Sequence, residues 1–291
     1  MSDQLHIALC FDDGFWAPAY AVMRSICLST KRRRDLVFHL IHLPLAAEYK
    51  SDLDQIASEY GATLRYYPLA EIPAFETFVT GMPASAQWPK IVYARLMLGS
   101  LLPANVSKVV YLDCDMMVRK PIEQLIAMEL GGHPLGAVAD SLSPWVMLRK
   151  DMRQNADIFD PADVNFNSGM LVIDLDQWRQ MDFAREIATL AQTGVLPRLY
   201  YDQGVLNVIF RDRWQALPWR WNVIDTHFAH EALDPAILHF TGKTKPWAIL
   251  AGMLRSTAYA RTYRHVMTND LFYRFARHRW QRWWKEKLGL R

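Results

Sequence analysis

Two aspartates separated by a single residue, Asp113 and Asp115, follow the apolar run 109–112. Side chains in a strand alternate between its two faces, so residues two apart direct both carboxylates to one side. At the carboxyl end of a strand they would lie in the crevice where open α/β sheets bind ligands. Two hard oxygen donors there suit Mg²⁺ or Mn²⁺ holding a diphosphate. Because Asp174 and Asp176 repeat the pattern after another apolar run, the spacing alone does not identify a metal site.

The elements that would position these carboxylates read as alternating strands and helices. Besides 109–112, the apolar pattern predicts strands at 5–11, 36–43, 63–67, 135–140, 170–175 and 237–240. It predicts a helix that ends near residue 28 and further helices at 45–60, 90–102, 121–130 and 204–210. It also predicts a helix from 176 to about 193, with Asp176 as its cap, and a long loop over 68–89. Near-continuous apolar strands that alternate with helices predict an α/β fold with a largely parallel sheet covered on both faces.

Size and composition predict a globular protein with a full core. The chain has 291 residues, 51% of them hydrophobic and 22% charged, which suits one large domain or a domain with a small appendage. Its three scattered cysteines favour reduced thiols in a cytosolic protein. The first residues lack the features of a signal peptide, and no run of about 20 apolar residues could span a bilayer. We therefore expect a cytoplasmic protein.

The positive charge is concentrated at the C-terminal end. Residues 261–291 contain nine Lys/Arg and two acids, a net of +7, which leaves 24 basic and 28 acidic side chains, a net of −4, in the other 260 residues. Aromatic residues interleave with arginines in this tail, a composition typical of an amphipathic helix at an anionic membrane surface. The alternative is a surface helix whose aromatic side chains pack on the catalytic domain. Nothing else in the chain supports nucleic-acid binding, and we expect none.

Six motifs follow one another along the chain: Leu-Cys-Phe-Asp-Asp-Gly (9–14), Tyr-Ala-Arg-Leu (93–96), Tyr-Leu-Asp-Cys-Asp (111–115), Phe-Asn-Ser-Gly-Met (166–170), Tyr-Asp-Gln-Gly-Val-Leu-Asn (201–207) and His-Phe-Thr-Gly-Lys-Thr-Lys-Pro-Trp (239–247). In this order and spacing they resemble the family 8 glycosyltransferases, and among these the bacterial enzymes that add galactose or glucose to lipopolysaccharide core or lipooligosaccharide. The resemblance covers roughly residues 5–250. It implies a single GT-A nucleotide-sugar-binding domain with a mixed, mostly parallel sheet over 1–255, followed by a basic aromatic helical tail over 256–291.

The resemblance implies a divalent cation and a UDP-hexose donor. Asp113, Asp115 and His239 would be the protein ligands of Mn²⁺, or of Mg²⁺, with diphosphate oxygens completing the shell. An imidazole beside two carboxylates is compatible with Mn²⁺ and poorer for Ca²⁺. Gly242 would let the backbone approach a phosphate closely, and Lys245 would add a positive charge there. A solvated loop charge is the alternative for Lys245.

At the nucleotide, the resemblance implies that Asp12 contacts uracil or ribose, with Cys10 nearby through its backbone and Cys114 beside the same group. Similar enzymes often carry Asn two residues after that acid, whereas this chain has Gly14. One side-chain contact to the nucleotide is therefore not expected at this position, although a backbone contact could replace it. A turn and helix cap at Asp13-Gly14 is the structural alternative.

At the donor sugar, the resemblance implies that Arg95 lies near the aspartate pair, while Asp140 and Asn167 hydrogen-bond to sugar hydroxyls. An arginine on an otherwise apolar helix face usually has a carboxylate partner. Asn167 could instead be a simple turn residue, since Asn and Gly dominate turns for backbone reasons.

Asp202 and Gln203 would form the mechanistic core. Family 8 enzymes retain anomeric configuration, which in hydrolases implies a carboxylate nucleophile at the anomeric carbon. The resemblance instead places the Gln203 amide on the β-face of the sugar, while Asp202 holds the donor. We expect front-face substitution, in which the acceptor attacks from the leaving-group side and the departing diphosphate takes its proton.

Three other functions fit parts of the sequence. A haloacid-dehalogenase-like phosphatase also uses Asp-x-Asp after an apolar strand, but Met117 stands where it needs a hydroxyl residue. A glycogenin-like primer would glucosylate itself, and a non-catalytic module would bind UDP-hexose without turnover. The hypothesis that we prefer is a hexosyltransferase with a lipid-linked saccharide acceptor, bound peripherally to the inner face of the cytoplasmic membrane. Its donor sugar could be galactose or glucose.

Overall fold

A seven-stranded mixed sheet organises the structure, a computed structural model that describes residues 4–85, 89–140, 156–160, 162–224, 226–241, 245–248 and 259–289. The strands, in chain order, are β1 Leu5–Phe11, β2 Leu36–His42, β3 Thr63–Pro68, β4 Lys108–Leu112, β5 Met116–Val118, β6 Leu135–Ala139, β7 Phe166–Asp174, β8 Gln215–Ala216 and β9 Ile237–His239. The α-helices are α1 Trp16–Ser29, α2 Ala47–Tyr60, α3 Pro73–Phe78, α4 Leu98–Leu101, α5 Glu123–Ile126, α6 Leu175–Gln180, α7 Phe183–Gln192, α8 Tyr201–Ile209, α9 Ala260–Met267 and α10 Asn269–Lys287.

The strands of the main sheet lie in the order β3-β2-β1-β4-β7-β6-β8. The first four are parallel neighbours, β7 runs antiparallel between β4 and β6, and β8 pairs parallel with β6. Strands β5 and β9 form a separate antiparallel pair. The predicted α/β fold with a mixed, mostly parallel sheet is confirmed.

Hydrophobic side chains cover both faces of the sheet, as the continuous apolar strands predict. Alternate residues of β4 belong to different clusters: Val110 and Leu112 pack with α1, whereas Val109 and Tyr111 pack with the cluster that contains α8. All four side chains are at most 1% exposed. The acids that follow β4 are therefore carried on a rigid, fully buried strand.

The predicted helix over 90–102 is wound differently from the expectation. Lys90–Met97 is a 3₁₀ helix, and only α4 after it is α-helical before Pro103. Residues three apart align in a 3₁₀ helix, and here the Val92 carbonyl accepts a hydrogen bond from Nε of Arg95 at 3.0 Å. The tighter winding thus turns the Arg95 side chain back along its own element, toward the site.

Two further segments differ from the sequence prediction. The predicted cap Asp176 is wrong, because β7 runs to Asp174 and the Asp174 side chain accepts hydrogen bonds from the backbone N–H groups of Asp176 and Gln177, both at 3.0 Å. The expected single helix is two, α6 and α7, the second capped by Asp182. The expected loop over 68–89 contains α3, which begins with Pro73 at the position where proline is favoured.

The C-terminal helices pack on α1 through their first half. Side chains from α9 and α10 join the same hydrophobic cluster as α1, and Phe275 lies edge-on to Trp16 with ring centroids 5.0 Å apart. In the second half, Trp280, Trp283 and Trp284 are 63%, 48% and 41% exposed. The tail therefore combines a buried anchor with an exposed aromatic end.

Candidate active site

The candidate residues gather at the carboxyl ends of β1 and β4. Strand β1 lies between β2, the next strand in the chain, and β4, which pairs with its opposite edge. This is a topological switch point, the position where open α/β sheets bind nucleotides. Asp12 follows β1, and Asp113 and Asp115 follow β4. The topology therefore brings acids from distant parts of the chain into one crevice.

Three side chains form a cluster that could hold a metal ion. Asp113, Asp115 and His239 each offer one ligand atom, and these atoms lie within 4.8 Å of one another. Nε2 of His239 is 3.1 Å from Oδ1 of Asp115 and 3.9 Å from Oδ2 of Asp113. The small β5–β9 pair produces this arrangement, because Met116 lies opposite His239 in its register. Long-range strand pairing thus brings the imidazole to the D-x-D turn.

Asn222 orients the imidazole of His239. Its Oδ1 lies 3.0 Å from Nδ1 of His239, and its Nδ2 donates to Oδ1 of Asn167 at 2.9 Å. Because Nδ1 faces this oxygen, Nε2 is the ring nitrogen that faces the two aspartates. Metal-binding histidines characteristically have such a partner on the second ring nitrogen. Asn222 is 2% exposed, so its amide is held in place.

Lys245 lies beside Asp115. Its Nζ is 2.6 Å from Oδ2 of Asp115 and 2.7 Å from the carbonyl oxygen of Phe240. Burial would raise the pKa of the Asp115 carboxyl, but His239 and Lys245 outweigh it and hold that pKa below its usual range. Asp115 is therefore a carboxylate at neutral pH, as a metal ligand must be.

Arg95 connects the aspartate pair to Asp202. Nη2 of Arg95 lies 2.9 Å from Oδ1 of Asp113, and its Nε lies 3.1 Å from Oδ2 of Asp202. The guanidinium carbon stacks 4.3 Å from the ring centroid of Tyr111, whose hydroxyl also donates to Asp113 at 2.7 Å. Arg95 is 4% exposed. The sequence predicted a carboxylate partner for Arg95, and the structure shows two, Asp113 and Asp202.

Asp202 is a buried acid whose ionisation depends on its surroundings. Burial raises the pKa of Asp202 to about 6, with the positive charge of Arg95 opposing that shift and Asp113 adding to it. Oδ2 of Asp202 also accepts a hydrogen bond from the Ser168 hydroxyl at 3.3 Å. Oδ2 of Asp202 therefore contacts both Nε of Arg95 and the Ser168 hydroxyl, and these two contacts fix the orientation of the carboxylate.

Gln203 lies in a hydrogen-bonded network of buried polar side chains. Its Nε2 donates to Oδ2 of Asp140 at 3.1 Å, and its Oε1 accepts from Nδ2 of Asn167 and from the backbone N–H of Ser168, both at 3.2 Å. Asn167 accepts a hydrogen bond from Asn222, which in turn contacts His239. The network joins the predicted sugar-binding residues to the metal cluster without a break.

The residues predicted to contact the nucleotide lie in and beside the turn after β1. Oδ1 of Asp12 accepts a hydrogen bond from the backbone N–H of Gly14 at 2.9 Å, and Sγ of Cys114 lies 3.7 Å from the carbonyl oxygen of Cys10. Burial raises the pKa of the Cys10 thiol to about 12 and that of Cys114 well above its usual range. Both cysteines are neutral thiols, so they can line a site but cannot act as nucleophiles.

A profile comparison identifies the family. The profile described as glycosyl transferase family 8 matches residues 6–251, which include all the candidate-site residues. The chain belongs to glycosyl transferase family 8.

Relatives within and around family 8 support the assignment. The lipopolysaccharide 1,2-glucosyltransferase of Escherichia coli is 26% identical over 261 residues, which cover 84% of this chain and 74% of that protein. The crystal structure of galactosyltransferase LgtC in complex with donor and acceptor sugar analogs has a TM-score of 0.72 at 23% identity, covering 90% of this chain and 95% of that one. An active-site glutamine-to-glutamate mutant of LgtC gives 0.73 with the same identity and coverage. The expected GT-A fold is confirmed.

The donor set of this family 8 protein fits a divalent cation. Two carboxylates and an imidazole suit Mn²⁺, and less well Mg²⁺, which prefers oxygen ligands. Gly169 lets two of these ligands approach the backbone closely: a Cβ there would lie 2.3 Å from Cε1 of His239 and 2.8 Å from Oδ2 of Asp113. The absence of a side chain at position 169 is therefore needed for the arrangement of the candidate ligands.

We expect Gly169→Ala to abolish metal-dependent activity, with a loss of at least about 100-fold, because the new methyl group must displace His239 or Asp113. Overpacking costs about 1–3 kcal/mol of folding free energy as well. Gly136→Ala is the matched control, since its Cβ would lie 2.7 Å from Leu130 in the core. Activity and urea unfolding of both variants distinguish the effects. Equal activity losses in the two variants would contradict the role of Gly169.

The structure brings together all but one of the predicted site residues. Gly242 lies outside the described residues. Four residues without a predicted role also line the site: Tyr111, Ser168, Gly169 and Asn222. Three of these belong to motifs quoted from the sequence, so attention to every position of those motifs would have found them. Asn222 follows a short 3₁₀ turn, Trp219–Trp221, and no motif included it.

Proposed function

We propose that this family 8 enzyme transfers a hexose, galactose or glucose, from a UDP-sugar to a lipopolysaccharide-core or related lipid-linked glycan, with retention of anomeric configuration. The observation that carries the proposal is the continuous path from Asp113, Asp115 and His239 through Asn222 to the buried polar network around Gln203. A cation site and a hydroxyl-binding site in one crevice suit a diphosphate-linked sugar. The printed functions of the Escherichia coli relative and of LgtC agree with this substrate class.

In this proposal Asp113, Asp115 and His239 hold Mn²⁺ or Mg²⁺. Such a cation neutralises charge that develops on the leaving diphosphate. Lys245 supplies a second positive charge to the same group, and it has only to turn from Asp115 to reach an incoming phosphate. Gly242 would contribute a close backbone approach to the same phosphates.

The donor sugar would lie over Asp140, Asn167 and Arg95. Buried carboxylate, amide and guanidinium groups offer both acceptors and donors to hydroxyls, and each is already fixed by a neighbour. Preorganised groups of this kind recognise a substrate without a further ordering cost. The uridine would extend to Asp12, with Cys10 and Cys114 lining its pocket.

We propose front-face substitution, with Gln203 at the anomeric carbon. The carboxylate of Asp202 is held by Arg95 and Ser168 through Oδ2, which favours a role in holding the sugar over a role as nucleophile. The Gln203 amide would stabilise the positive charge on the sugar ring. The acceptor hydroxyl would pass its proton to the departing diphosphate. Mass spectrometry during turnover is expected to find no hexosyl adduct on Asp202, and such an adduct would establish double displacement instead.

The function is tested by incubating the purified protein with UDP-sugars and Mn²⁺ and measuring UDP release in the absence of acceptor. We expect release from UDP-galactose or UDP-glucose that chelation abolishes. Phosphate release from p-nitrophenyl phosphate without UDP release would indicate a phosphatase. Labelled hexose incorporated into the polypeptide would indicate a self-glucosylating primer.

We also propose that the exposed end of α10 binds an anionic membrane surface. Its tryptophans project from a helix rich in arginine and lysine, as interfacial helices require. Among the described residues, no helix has the length and apolar character needed to cross a bilayer. We keep the division into a catalytic domain, 1–255, and a tail, 256–291, as part of this proposal.

Replacing Trp280, Trp283 and Trp284 together by serine is expected to lower binding to vesicles containing anionic lipid by at least tenfold, because each indole contributes apolar area to the interface. Point substitutions are preferable to deletion of the tail, since Leu271 and Phe275 are buried. Co-sedimentation with anionic and with neutral vesicles measures the effect. Unchanged sedimentation of the triple variant would rule out this surface.

A further inference from the structure

The C-terminal helix α10 also reaches the nucleotide side of the crevice. Nη1 of Arg282 lies 3.1 Å from Oδ1 of Asp13, in the turn that follows β1. The adjoining Asp12 belongs to the same turn and is the acid predicted to contact uracil or ribose. An arginine 269 positions later in the chain therefore stands beside the proposed nucleoside pocket.

The guanidinium of Arg282 occupies the space that a side chain at position 14 would fill. A Cβ built on Gly14 would lie 2.9 Å from Nη1 of Arg282 and 3.1 Å from Oδ1 of Asp12. The absent side chain and the inserted arginine are thus complementary. Gly14 is the position at which the motif of this chain lacks a polar side chain that could contact the nucleotide.

Fold stability does not account for this placement. The side chains of Arg282 and Asp13 are 47% and 48% exposed, and exposed ion pairs add little to stability. The helix is anchored one turn earlier instead, where His278 hydrogen-bonds to the Tyr49 hydroxyl at 2.8 Å and lies edge-on to Trp16. Residues four apart share one face of a helix, so this anchor aims Arg282 at the turn.

We propose that Arg282 is a nucleotide-binding residue, supplied by the C-terminal helix in place of a side chain at position 14. Its guanidinium donates hydrogen bonds to oxygen atoms of the nucleoside, the ribose hydroxyls or the base carbonyls. The inference rests on the proposed UDP-sugar donor. It makes α10 a part of the donor site in addition to its exposed tryptophan surface.

Binding of UDP and of uridine to the full-length protein, measured calorimetrically with Mn²⁺ present, tests the inference. We expect Arg282→Ala to raise the Kd of both ligands about tenfold, the usual effect of losing one hydrogen bond to a charged group. Because the contact is to the nucleoside, the factor is the same for UDP and uridine. Arg277→Ala, which removes the same charge from an exposed position of α10, leaves both Kd values unchanged.

A second substitution separates direct binding from a change in the tail. Gly14→Ala pushes the guanidinium aside and weakens UDP binding in the wild-type background, but has little further effect when Arg282 is already alanine. Additive losses in the double variant, or a Kd within twofold of wild type for Arg282→Ala, would overturn the inference. Absence of UDP binding by the wild-type protein would instead overturn the proposed function.

Discussion

Replacing Asp115 by asparagine, or His239 by alanine, is expected to lower kcat/KM for hexose transfer by about 1,000-fold. Each change removes one of three ligands, and electrophilic assistance by a metal ion is worth several kcal/mol, with each 1.36 kcal/mol equal to a factor of ten. The two residues come from β9 and from the turn between β4 and β5, so a similar loss in both points to a shared ion. Initial rates at several Mn²⁺ concentrations provide the measurement.

The chain contains its own control for this prediction. Asp174 and Asp176 repeat the D-x-D spacing, but the Asp176 side chain is 64% exposed and pairs with Arg179 one turn along the same helix. Asp176→Asn is therefore expected to leave kcat/KM within twofold of wild type. A comparable loss in this variant would show that the assay reports general damage, whereas full activity of Asp115→Asn would remove the metal site from the mechanism.

Replacing Arg95 by methionine is expected to cost about 3–5 kcal/mol of unfolding free energy, because it leaves the buried carboxylate of Asp202 and the half-buried carboxylate of Asp113 without their cation. Urea unfolding measures the change. Arg198→Met is the control, since Arg198 forms a closer pair with Asp157, at 2.6 Å, whose carboxylate is 64% exposed, and exposed pairs contribute little.

A second variant separates charge from packing at Arg95. Adding Asp202→Asn to Arg95→Met removes one of the two stranded charges, so part of the lost stability should return. If the double variant is no more stable than Arg95→Met, the loss comes from the arginine's packing against Tyr111 and the charge argument is wrong. Stability of Arg95→Met equal to wild type would contradict the bridging role altogether.

The regular elements could be predicted because their signals are local. Strand β1 has the predicted bounds, and β2 and β3 differ by one residue, since continuous apolar runs ended by turns determine them. The antiparallel placement of β7 could not be derived from periodicity, because pairing direction depends on how distant strands approach. The same reason explains Asp176: without knowing that β7 extends to Asp174, the sequence offers two acids for one cap.

In the candidate site, too, residues with a local sequence signal could be predicted, whereas residues defined by long-range contacts could not. Asp113 and Asp115 stand out through spacing, and the motif order associates His239 and Gln203 with them. Asn222 could not be found in this way, because its role follows from contacts to His239 and Asn167 that only the folded chain creates. Arg282 is a stronger case, since its relation to Gly14 joins the two ends of the chain.

The tail illustrates why composition leaves alternatives open. Its sequence favoured a membrane-binding helix, with packing on the catalytic domain as the alternative. The structure divides the helix instead: Phe272 and Phe275 are buried, whereas the three tryptophans after them are exposed. Both halves have the same mixture of arginine and aromatic residues, so the difference arises from where α10 leaves the surface of α1.

The most direct measurement of the central claim is a count of bound Mn²⁺ by electron paramagnetic resonance in the presence of UDP. We predict one bound ion per chain for the wild-type protein and for Asp176→Asn, and the spectrum of free Mn²⁺ for Asp115→Asn and His239→Ala. Stoichiometric Mn²⁺ binding by both ligand variants, with hexose transfer that continues in chelator, would contradict the account.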